Sequence, residues 1–481
     1  MKIQEIFRKY DLRGEVGKHF SPDDAYAITQ AIVTYFKQVQ PDIKNIAVGM
    51  DGRTHSEEIK EFVCQAIIDS GLNAHFIGLC PTPALYFACH NLPVEAGIMI
   101  TASHNPKEDN GFKLVLNCES VWDQGIVEIA KIFEKVERYD NDRLTLLRST
   151  SYEGQVRGNY FEHDLVNQYI EALYQNFKHL ENSDLNFVID CGNGTAGVII
   201  PKLIQKLNWK NVTVLYPEVD GNYPHHNPNP VEHENMLKVE ELLKQNPTLQ
   251  FGVGLDGDCD RFAAMTKSGF LIPGDQLLGL FALHIDKRYS PAVVMDVKCS
   301  EAIGRVLKNA QIPYYISPTG HAYIKSYLKE HHATIGGELS GHFCFKDRHV
   351  GYDDGIYALL RLCEILVQTK QDLQTLVNIF PATYCSPEVR LHCAEETKNL
   401  VVKAAWEACK KWPNTEILAL DGIRIQTEIG WAVVRAANTE AAISLRIEGY
   451  SAESLQQLKQ DLFAILAPHL DAQLLATKLE L

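Results

Sequence analysis

The sequence contains no apolar run long enough to cross a membrane. Its 481 residues include no stretch of about eighteen apolar residues, and the first fourteen carry mixed charge instead of a basic segment followed by an apolar one. We therefore expect a cytoplasmic, soluble protein.

Paired cysteines are also missing. The twelve cysteines are scattered singly between Cys64 and Cys409, and no C-x-x-C pair occurs. In a reducing compartment such cysteines are expected to be small buried apolar residues rather than zinc ligands or disulfide partners.

Positive charge is scarcer than negative charge. The 46 Lys and Arg residues face 61 Asp and Glu residues, which gives a formal net charge of −15. This excess repels phosphate backbones and anionic membrane surfaces, so neither nucleic acid nor a membrane is expected as a partner. Anionic small molecules remain compatible, because basic residues in a cleft can reverse the local field.

A strand–helix–strand pattern occurs three times. Each copy begins with a short apolar strand that ends in Asp, and the three strands start at Asn45, Phe187 and Ala292. The helices that follow them are expected over 59–70, 200–207 and 301–309. This order is typical of βαβ units in parallel or mixed sheets, with ligand-binding loops at the carboxyl ends of the strands. From about Tyr384 the pattern changes to alternating strands and an amphipathic helix over 452–466, which predicts a smaller α+β domain.

A serine loop follows one of the predicted strands. Ser103 comes shortly after the apolar residues 97–100, with His104 next to it and Lys113 ten residues further on. Lys113 can return to this loop as a charge stabiliser or proton carrier. A loop serine alone is usually structural, and the Gly-x-Ser-x-Gly motif of acyl hydrolases is absent.

Three carboxylates follow the strand over 251–255 at alternate positions. Asp256, Asp258 and Asp260 can converge on one hard cation such as Mg²⁺, without which they would repel one another. An EF-hand is excluded, because the sixth loop position is Arg261 and not Gly. Arg261 favours a phosphate held against the metal, although a polar turn whose Asp residues cap the next element is the alternative.

Two further loops carry polar side chains suited to a phosphorylated or hydroxylated ligand. A Gly-rich segment contains Glu338, Ser340 and His342, and a simple turn would account for it equally well. In the last domain, Arg435 and Arg446 flank a polar turn and can form a phosphate clamp or a solvated surface hairpin.

These segments together resemble the α-D-phosphohexomutase superfamily, and specifically its phosphomannomutase/phosphoglucomutase branch. The similarity runs in family order over nearly the whole chain, through the segments Tyr10–Gly14, Thr101–Pro106, Asp256–Arg261, Glu338–His342 and Arg435–Thr439. The resemblance implies three similar α/β domains with mixed sheets and a C-terminal α+β domain around a central cleft. The expected domains span 1–155, 156–265, 266–376 and 377–481.

The resemblance also implies roles for the residues of these motifs. Ser103 would carry the phosphoryl group and, with the three aspartates, bind Mg²⁺. The implied catalytic residues are Ser103, His104, Lys113, Arg261 and His342. The implied metal ligands are Ser103, Asp256, Asp258 and Asp260. The implied substrate-binding residues are Tyr10, Arg13, Lys298, His321, Glu338, Ser340, Arg435, Asn438, Thr439 and Arg446.

The implied activity interconverts hexose 6-phosphate and hexose 1-phosphate, with mannose and glucose as the sugars. It would proceed through a phosphoserine enzyme and a hexose 1,6-bisphosphate, with glucose or mannose 1,6-bisphosphate as activator, in a monomer or weak dimer. The apolar Leu339 resembles the residue at this position in mannose/glucose enzymes, whereas the phosphoglucosamine branch tends to have Gln there. A phosphoglucosamine mutase is the alternative, and a metal-dependent glycosyltransferase using Asp256 and Asp258 is a more remote one.

Overall fold

A computed structural model describes residues 2–140, 157–386, 388–437 and 442–481. The chain divides into two compact units. The first comprises Met1–Pro273, Ser340–Phe343 and Arg348–Thr375, and the second comprises Gly274–Leu339, Cys344–Asp347 and Leu376–Leu481. The expected boundary between residues 155 and 156 lies outside the described residues.

The first sheet is mixed. Its elements are β1 (Leu12–Glu15), α1 (Asp24–Val39), β2 (Asn45–Met50), α2 (Ser56–Asp69), β3 (Asn73–Leu79), α3 (Thr82–Asn91), β4 (Ala96–Ile100), β5 (Asp109–Leu116), β6 (Glu119–Ser120), α4 (Gln124–Asp140) and β7 (Tyr160–Glu162). The strand order is β1-β5-β4-β2-β3-β7, with β6 paired to β5. Strands β4, β2, β3 and β7 run parallel, while β5 is antiparallel to β4 and β1. The first repeat predicted from the sequence is β2-α2-β3.

The second sheet belongs to the same unit. Its elements are α5 (Leu165–Phe177), β8 (Phe187–Asp190), α6 (Ala196–Lys206), β9 (Val212–Leu215), α7 (Leu237–Gln245), β10 (Phe251–Leu255), β11 (Phe262–Thr266) and β12 (Leu271–Ile272). The order is β12-β11-β10-β8-β9, and β10, β8 and β9 are parallel. Phe187 and Phe251 stack on adjacent strands with ring centroids 4.6 Å apart, which helps to fix their register.

The third sheet contains the third predicted repeat. Its elements and the helices that follow are α8 (Gly274–Leu283), β13 (Val293–Asp296), α9 (Glu301–Asn309), β14 (Tyr314–Ser317), α10 (His321–Glu330), β15 (Ile335–Gly337), β16 (Phe343–Phe345), α11 (Gly355–Thr369) and α12 (Leu373–Val377). The strand order is β14-β13-β15-β16, and β13 is parallel to both neighbours.

The fourth sheet is antiparallel throughout its paired strands. Its elements are β17 (Tyr384–Cys385), β18 (Val389–His392), α13 (Glu395–Cys409), β19 (Glu416–Leu418), β20 (Ile423–Gln426), β21 (Gly430–Ala436), β22 (Ala442–Gly449), α14 (Ala452–Leu466) and α15 (Ala472–Leu479). The strand order is β17-β22-β21-β20-β19, and β18 also pairs with β22. Buried Val401, Leu445 and Leu462 join the helices to the sheet.

These four sheets confirm the predicted fold class of three α/β domains and one α+β domain. In each of the first three sheets, the carboxyl ends of the parallel strands lie at the same edge, and the loops that follow them can carry functional side chains. No helix within the described ranges has the length and apolarity of a membrane span. The twelve cysteines are free thiols, and nine of them are buried.

A buried carboxylate caps α11 in the first unit. The Asp354 side chain is fully buried, accepts a hydrogen bond from the Tyr357 N–H (2.8 Å), and accepts another from the Tyr169 hydroxyl (2.7 Å). Burial raises the pKa of Asp354 to about 7 despite these donors. The tyrosine hydroxyl therefore compensates part of the cost of removing this carboxylate from water.

We predict that Tyr169→Phe lowers the free energy of unfolding by about 1–3 kcal/mol, because a buried acceptor loses its donor. A urea titration followed by circular dichroism measures the change. Tyr160→Phe is the matched control, since Tyr160 is 45% exposed and its loss of a hydroxyl should leave the midpoint unchanged. Equal midpoints for the two variants would contradict a stabilising role of the Tyr169 hydroxyl.

Candidate active site

Ser103 lies in the first unit, on the loop that follows β4. Its backbone has a φ of +52°, in the left-handed region, and its side chain is almost completely buried. The Ser103 Oγ lies 2.8 Å from Asp256 Oδ2 and 3.2 Å from His104 Nδ1. The serine loop and the aspartate loop, 153 positions apart in sequence, therefore meet at this hydroxyl.

The aspartate cluster follows β10 and is fully enclosed. Asp256, Asp258 and Asp260 are each at most 1% exposed, and oxygens of all three lie within 4.8 Å of one another. Burial, followed by the charges of Asp260 and Asp258, raises the pKa of Asp256 well above its ordinary value. Three carboxylates this close require positive charge or protons.

Lys113 supplies positive charge to this cluster. Its Nζ lies 2.7 Å from Asp258 Oδ2 and also forms an ion pair with Asp260. Although burial acts in the opposite direction, Asp258 and Asp260 raise the pKa of Lys113 above its ordinary value. Lys113 is thus protonated, and its ammonium compensates part of the negative charge of the cluster.

Gly257 allows the two loops to approach. A Cβ at this position would lie 2.6 Å from the Ser103 carbonyl oxygen and 3.0 Å from the Tyr223 hydroxyl. No side chain fits at that separation, so the contact between the loops requires glycine.

The boundary between the two units divides the segment Glu338–His342 after Leu339. His342, in the first unit, is buried with its Nε2 3.3 Å from Asp260 Oδ1 and its Nδ1 3.2 Å from Ser340 Oγ. Asp353 joins Asp260 and His342 in a second group of possible metal ligands. Glu338 lies in the second unit, where its Oε1 accepts a hydrogen bond from the Gly320 N–H (2.7 Å), next to His321.

Basic residues surround the serine loop. Arg13 forms an ion pair with Asp11 and donates to Asn105 Oδ1 at 2.9 Å. The dense surroundings, and then the charges of Arg261 and Arg13, lower the pKa of His104 well below its ordinary value, so the imidazole is neutral. The Arg261 N–H donates to Asp256 Oδ1 (3.0 Å). The Lys9 Nζ lies 5.9 Å from the centroid of the Tyr10 ring.

The second unit holds most of the predicted phosphate clamp. Arg435 donates from Nε and Nη2 to Asp421 Oδ2 at 3.0 and 2.6 Å, and Arg446 Nη1 donates to the Lys298 carbonyl oxygen at 2.7 Å. The Lys298 ammonium lies 3.2 Å from Glu388 Oε2. Asn438 and Thr439 lie outside the described residues.

Burial of Glu388 is offset by this basic environment. Although burial acts in the opposite direction, Lys298 and Arg390 lower the pKa of Glu388 to about 2. The carboxylate stays ionised and holds the Lys298 side chain in place.

Arg53 is a site residue that the sequence interpretation did not identify. Its guanidinium donates to the carbonyl oxygens of Ser103 (2.8 Å), Asn105 (2.7 Å), Pro106 (2.6 Å) and Asp109 (2.9 Å). Asp51, at the end of β2, accepts from Arg53 Nε and from Thr101 Oγ1. The signal available was the Asp-Gly-Arg sequence directly after a predicted strand.

Four family domain profiles match the chain in order. They are described as phosphoglucomutase/phosphomannomutase alpha/beta/alpha domain I (residues 4–140), domain II (167–269), domain III (273–384) and the C-terminal domain (388–465). The chain belongs to the phosphoglucomutase/phosphomannomutase family. The predicted hexose-phosphate mutase, an isomerase that transfers phosphoryl groups, is thereby confirmed.

Individual members of the phosphoglucomutase/phosphomannomutase family resemble the chain over nearly its full length. The phosphomannomutase/phosphoglucomutase of Pseudomonas syringae pv. tomato is 34% identical over 470 residues, covering 97% of this chain and 96% of that protein. The Pseudomonas aeruginosa protein of the same name is 35% identical over 455 residues, 94% of each chain. A crystal structure of a family protein from Burkholderia thailandensis has a TM-score of 0.85 at 30% identity, covering 98% of each chain.

The buried carboxylates of this family member fit a divalent cation. Asp258 Oδ1 is buried and has no hydrogen-bond partner among the described residues, although its other oxygen accepts from Thr82 (2.6 Å) and Lys113. An oxygen-only donor set is what hard cations prefer. The arrangement is a candidate metal site.

We predict that Arg53→Lys lowers kcat by roughly two orders of magnitude with little change in KM, because an ammonium cannot bond four carbonyl oxygens and the serine loop shifts. Steady-state kinetics measures both constants. Arg157→Lys is the matched control, because Arg157 pairs with Asp69 in a position that is 55% exposed. Equal kinetics for wild type and Arg53→Lys would contradict the positioning role of Arg53.

We further predict that Mg²⁺ binds less tightly as pH falls, by up to about tenfold per pH unit below the raised pKa of Asp256. Cation binding requires ionised Asp256, whereas the raised pKa favours the protonated form of the metal-free protein as pH falls, so up to one proton leaves on binding. Calorimetric titrations in buffers of different ionisation enthalpy measure this proton release. Asp296→Asn is the control: burial raises the pKa of Asp296 to about 6, but it lies outside the cluster and its loss should leave the linkage unchanged. Mg²⁺ binding that releases no proton and whose affinity does not change as pH falls would contradict the prediction.

Proposed function

We propose that the chain interconverts the 6-phosphates and 1-phosphates of mannose and glucose through a phosphoserine at Ser103 and a hexose 1,6-bisphosphate. The observation that carries this proposal is the 2.8 Å approach of Ser103 Oγ to Asp256 at the edge of a buried carboxylate cluster. A phosphoryl group on that oxygen would lie where cation, Arg261 and Lys113 can neutralise its charge.

Phosphoryl transfer in such a site depends on positioning and charge neutralisation. Asp256, Asp258, Asp260 and an oxygen of the phosphoserine would hold Mg²⁺, which supplies charge neutralisation at the transferring group. His104 Nδ1 lies 3.2 Å from Ser103 Oγ, and neutral His104 and Arg261 would donate to the phosphoryl oxygens. Arg53 fixes the loop so that the serine oxygen keeps its direction.

Two residues would carry the proton transfers of the first half-reaction. The free hydroxyl oxygen of the sugar phosphate forms the new P–O bond while the bond between phosphorus and Ser103 Oγ breaks. His342, held between Asp260 and Ser340, accepts the hydroxyl proton, and protonated Lys113 gives a proton to the departing serine oxygen. The second half-reaction reverses these transfers after the bisphosphate presents its other phosphate.

The other predicted residues are assigned to the part of the substrate that does not react. Arg435 and Arg446, with Asn438 and Thr439, would bind the second phosphate through bidentate contacts. Sugar hydroxyls would bind Glu338 and Ser340. The remaining substrate-binding assignments are Tyr10, Arg13, Lys298 and His321.

Further parts of the proposal concern the whole molecule. The chain would work as four domains spanning 1–155, 156–265, 266–376 and 377–481, as a cytoplasmic monomer or weak dimer. Glucose 1,6-bisphosphate or mannose 1,6-bisphosphate would act as activator by restoring the phosphate to Ser103 whenever an intermediate escapes.

We predict that Ser103→Ala abolishes turnover, because no acceptor for the phosphoryl group remains at the cluster. The mass of the peptide containing Ser103 provides a second readout. In the wild type it should carry one phosphate, which mannose 1-phosphate with Mg²⁺ removes as mannose 1,6-bisphosphate appears. Ser268→Ala, on the turn between β11 and β12, is the control and should retain activity.

Two results would contradict this mechanism. One is a Ser103 peptide that stays unphosphorylated after incubation with glucose 1,6-bisphosphate, and the other is wild-type turnover by Ser103→Ala. Stabilisation by a nucleotide sugar with Mg²⁺ would then favour a glycosyltransferase. A larger kcat/KM for glucosamine 6-phosphate than for the mannose and glucose phosphates would leave the mechanism intact and change the substrate to that of a phosphoglucosamine mutase.

A further inference from the structure

The loop that follows β13 in the second unit is fixed through its backbone on two sides. The Lys298 N–H donates to Asp296 Oδ1 (3.0 Å), and the Ser300 N–H donates to Asp275 Oδ2 (2.8 Å). The carbonyl oxygens of residues 297, 298 and 299 all accept hydrogen bonds from arginine side chains. Carboxylates therefore bind the N–H groups of this loop, and guanidinium groups bind its carbonyl oxygens.

Arg424 on β20 makes two of these three carbonyl contacts. Its Nη1 donates to the carbonyl oxygens of Val297 (2.6 Å) and Cys299 (2.9 Å), and its Nη2 lies 3.4 Å from Glu301 Oε2 in the first turn of α9. Arg446 on β22 makes the third. Because Arg424 is only 4% exposed, these protein acceptors replace water around its guanidinium.

One face of the fourth sheet carries the residues that contact this loop. Arg424, Val433 and Arg446 lie opposite one another on the adjacent strands β20, β21 and β22. Trp431, two positions before Val433, shares this face because side chains alternate along a strand. Trp431 and Val433 form an apolar cluster with Val297, and the Arg424 guanidinium lies 4.0 Å from the centroid of the Trp431 ring. The ring thus supports the guanidinium that binds the loop.

The same sheet face also contacts the side chain of Lys298. Arg435, two positions after Val433, lies opposite Ser444 on β22. Ser444 Oγ donates to Glu388 Oε1 (2.8 Å), and Glu388 Oε2 lies 3.2 Å from the Lys298 ammonium. Residues on or next to the fourth sheet therefore hold both the backbone and the ammonium of Lys298.

We propose that Arg424 is a positioning residue for Lys298. It binds the carbonyl oxygens on either side of Lys298 and so holds the loop in the arrangement in which Lys298 contacts the sugar phosphate. This inference rests on the proposed function, which assigns Lys298 to substrate binding. Arginine suits this role because its donors have fixed directions and reach two carbonyl oxygens at once, whereas an ammonium has no such planar arrangement.

A double-mutant cycle tests whether Arg424 acts through Lys298. Steady-state kinetics of the full-length protein with glucose 1-phosphate gives kcat and KM for each variant. Arg424→Met should raise KM roughly five- to twentyfold with kcat within about twofold of wild type, because Met keeps the packing on Trp431 but donates to neither carbonyl oxygen. Lys298→Met should raise KM at least as much. In the Lys298→Met background, Arg424→Met should change kcat/KM by less than about twofold, because the side chain that it positions is gone.

Two further variants separate positioning from charge and from the loss of a stacked arginine. Arg424→Lys keeps the positive charge and should still raise KM, and it completes the cycle if Arg424→Met does not fold, which circular dichroism checks. Wild-type KM in Arg424→Lys would overturn the proposal. Arg305→Met is the matched control, since the Arg305 guanidinium lies 4.3 Å from the Tyr450 ring centroid in an exposed position on α9. Its kinetics should equal those of wild type.

Three other results would overturn the proposal. Additive losses in the double variant would mean that Arg424 acts independently of Lys298. A lower kcat at unchanged KM in Arg424→Met would indicate only a loss of active enzyme. Wild-type KM in Lys298→Met would refute the assignment of Lys298 to the substrate, on which the inference rests. The phosphoserine mechanism is judged separately, by the mass of the peptide that contains Ser103.

Discussion

The burial of three carboxylates at the end of β10 is the constraint on which the first unit depends. Asp256, Asp258 and Asp260 are removed from water, and each needs compensation within a few ångströms. Lys113 on β5 and Thr82 at the start of α3 both donate hydrogen bonds to Asp258. A strand of the first sheet and a helix beside it therefore contact the loop that follows β10 of the second sheet. These bonds to the buried carboxylates thus fix the two sheets of this unit relative to each other. The carboxylate oxygens that remain form the candidate cation site.

The serine loop is stabilised in a different way, by hydrogen bonds to its backbone. Its left-handed residue and its close contact at Gly257 are held by Arg53, a buried cation bonded to four carbonyl oxygens. A loop organised from its backbone keeps its shape whatever group its side chain carries. This rigidity suits a residue that is proposed to gain and lose a phosphoryl group in every catalytic cycle.

Elements with strong local signals could be predicted from the sequence. The helices over 301–309 and 452–466 agree with their observed bounds because Ser300 and Ser451 cap them with side-chain hydrogen bonds. The helix expected from Ile59 begins earlier, at Ser56, because its first turn contains exposed Glu57 and Glu58 and carries no apolar pattern. Arg53 was missed because its partners are backbone carbonyl oxygens, which leave no pattern in side-chain sequence. The pairing of Ser103 with Asp256 followed only from the family resemblance, since no local rule joins residues so far apart.

The ion pair between Arg435 and Asp421 has a consequence for the speed of ligand exchange. If Arg435 binds a phosphate as proposed, the phosphate would replace the Asp421 carboxylate instead of meeting a bare cation, so only the difference between two similar interactions would add to its affinity. When the phosphate leaves, Asp421 is at hand to take its place, and the guanidinium is never left uncompensated. Under the proposed mechanism, this compensation would favour release of one phosphate from the arginine and its replacement by the other end of the bisphosphate.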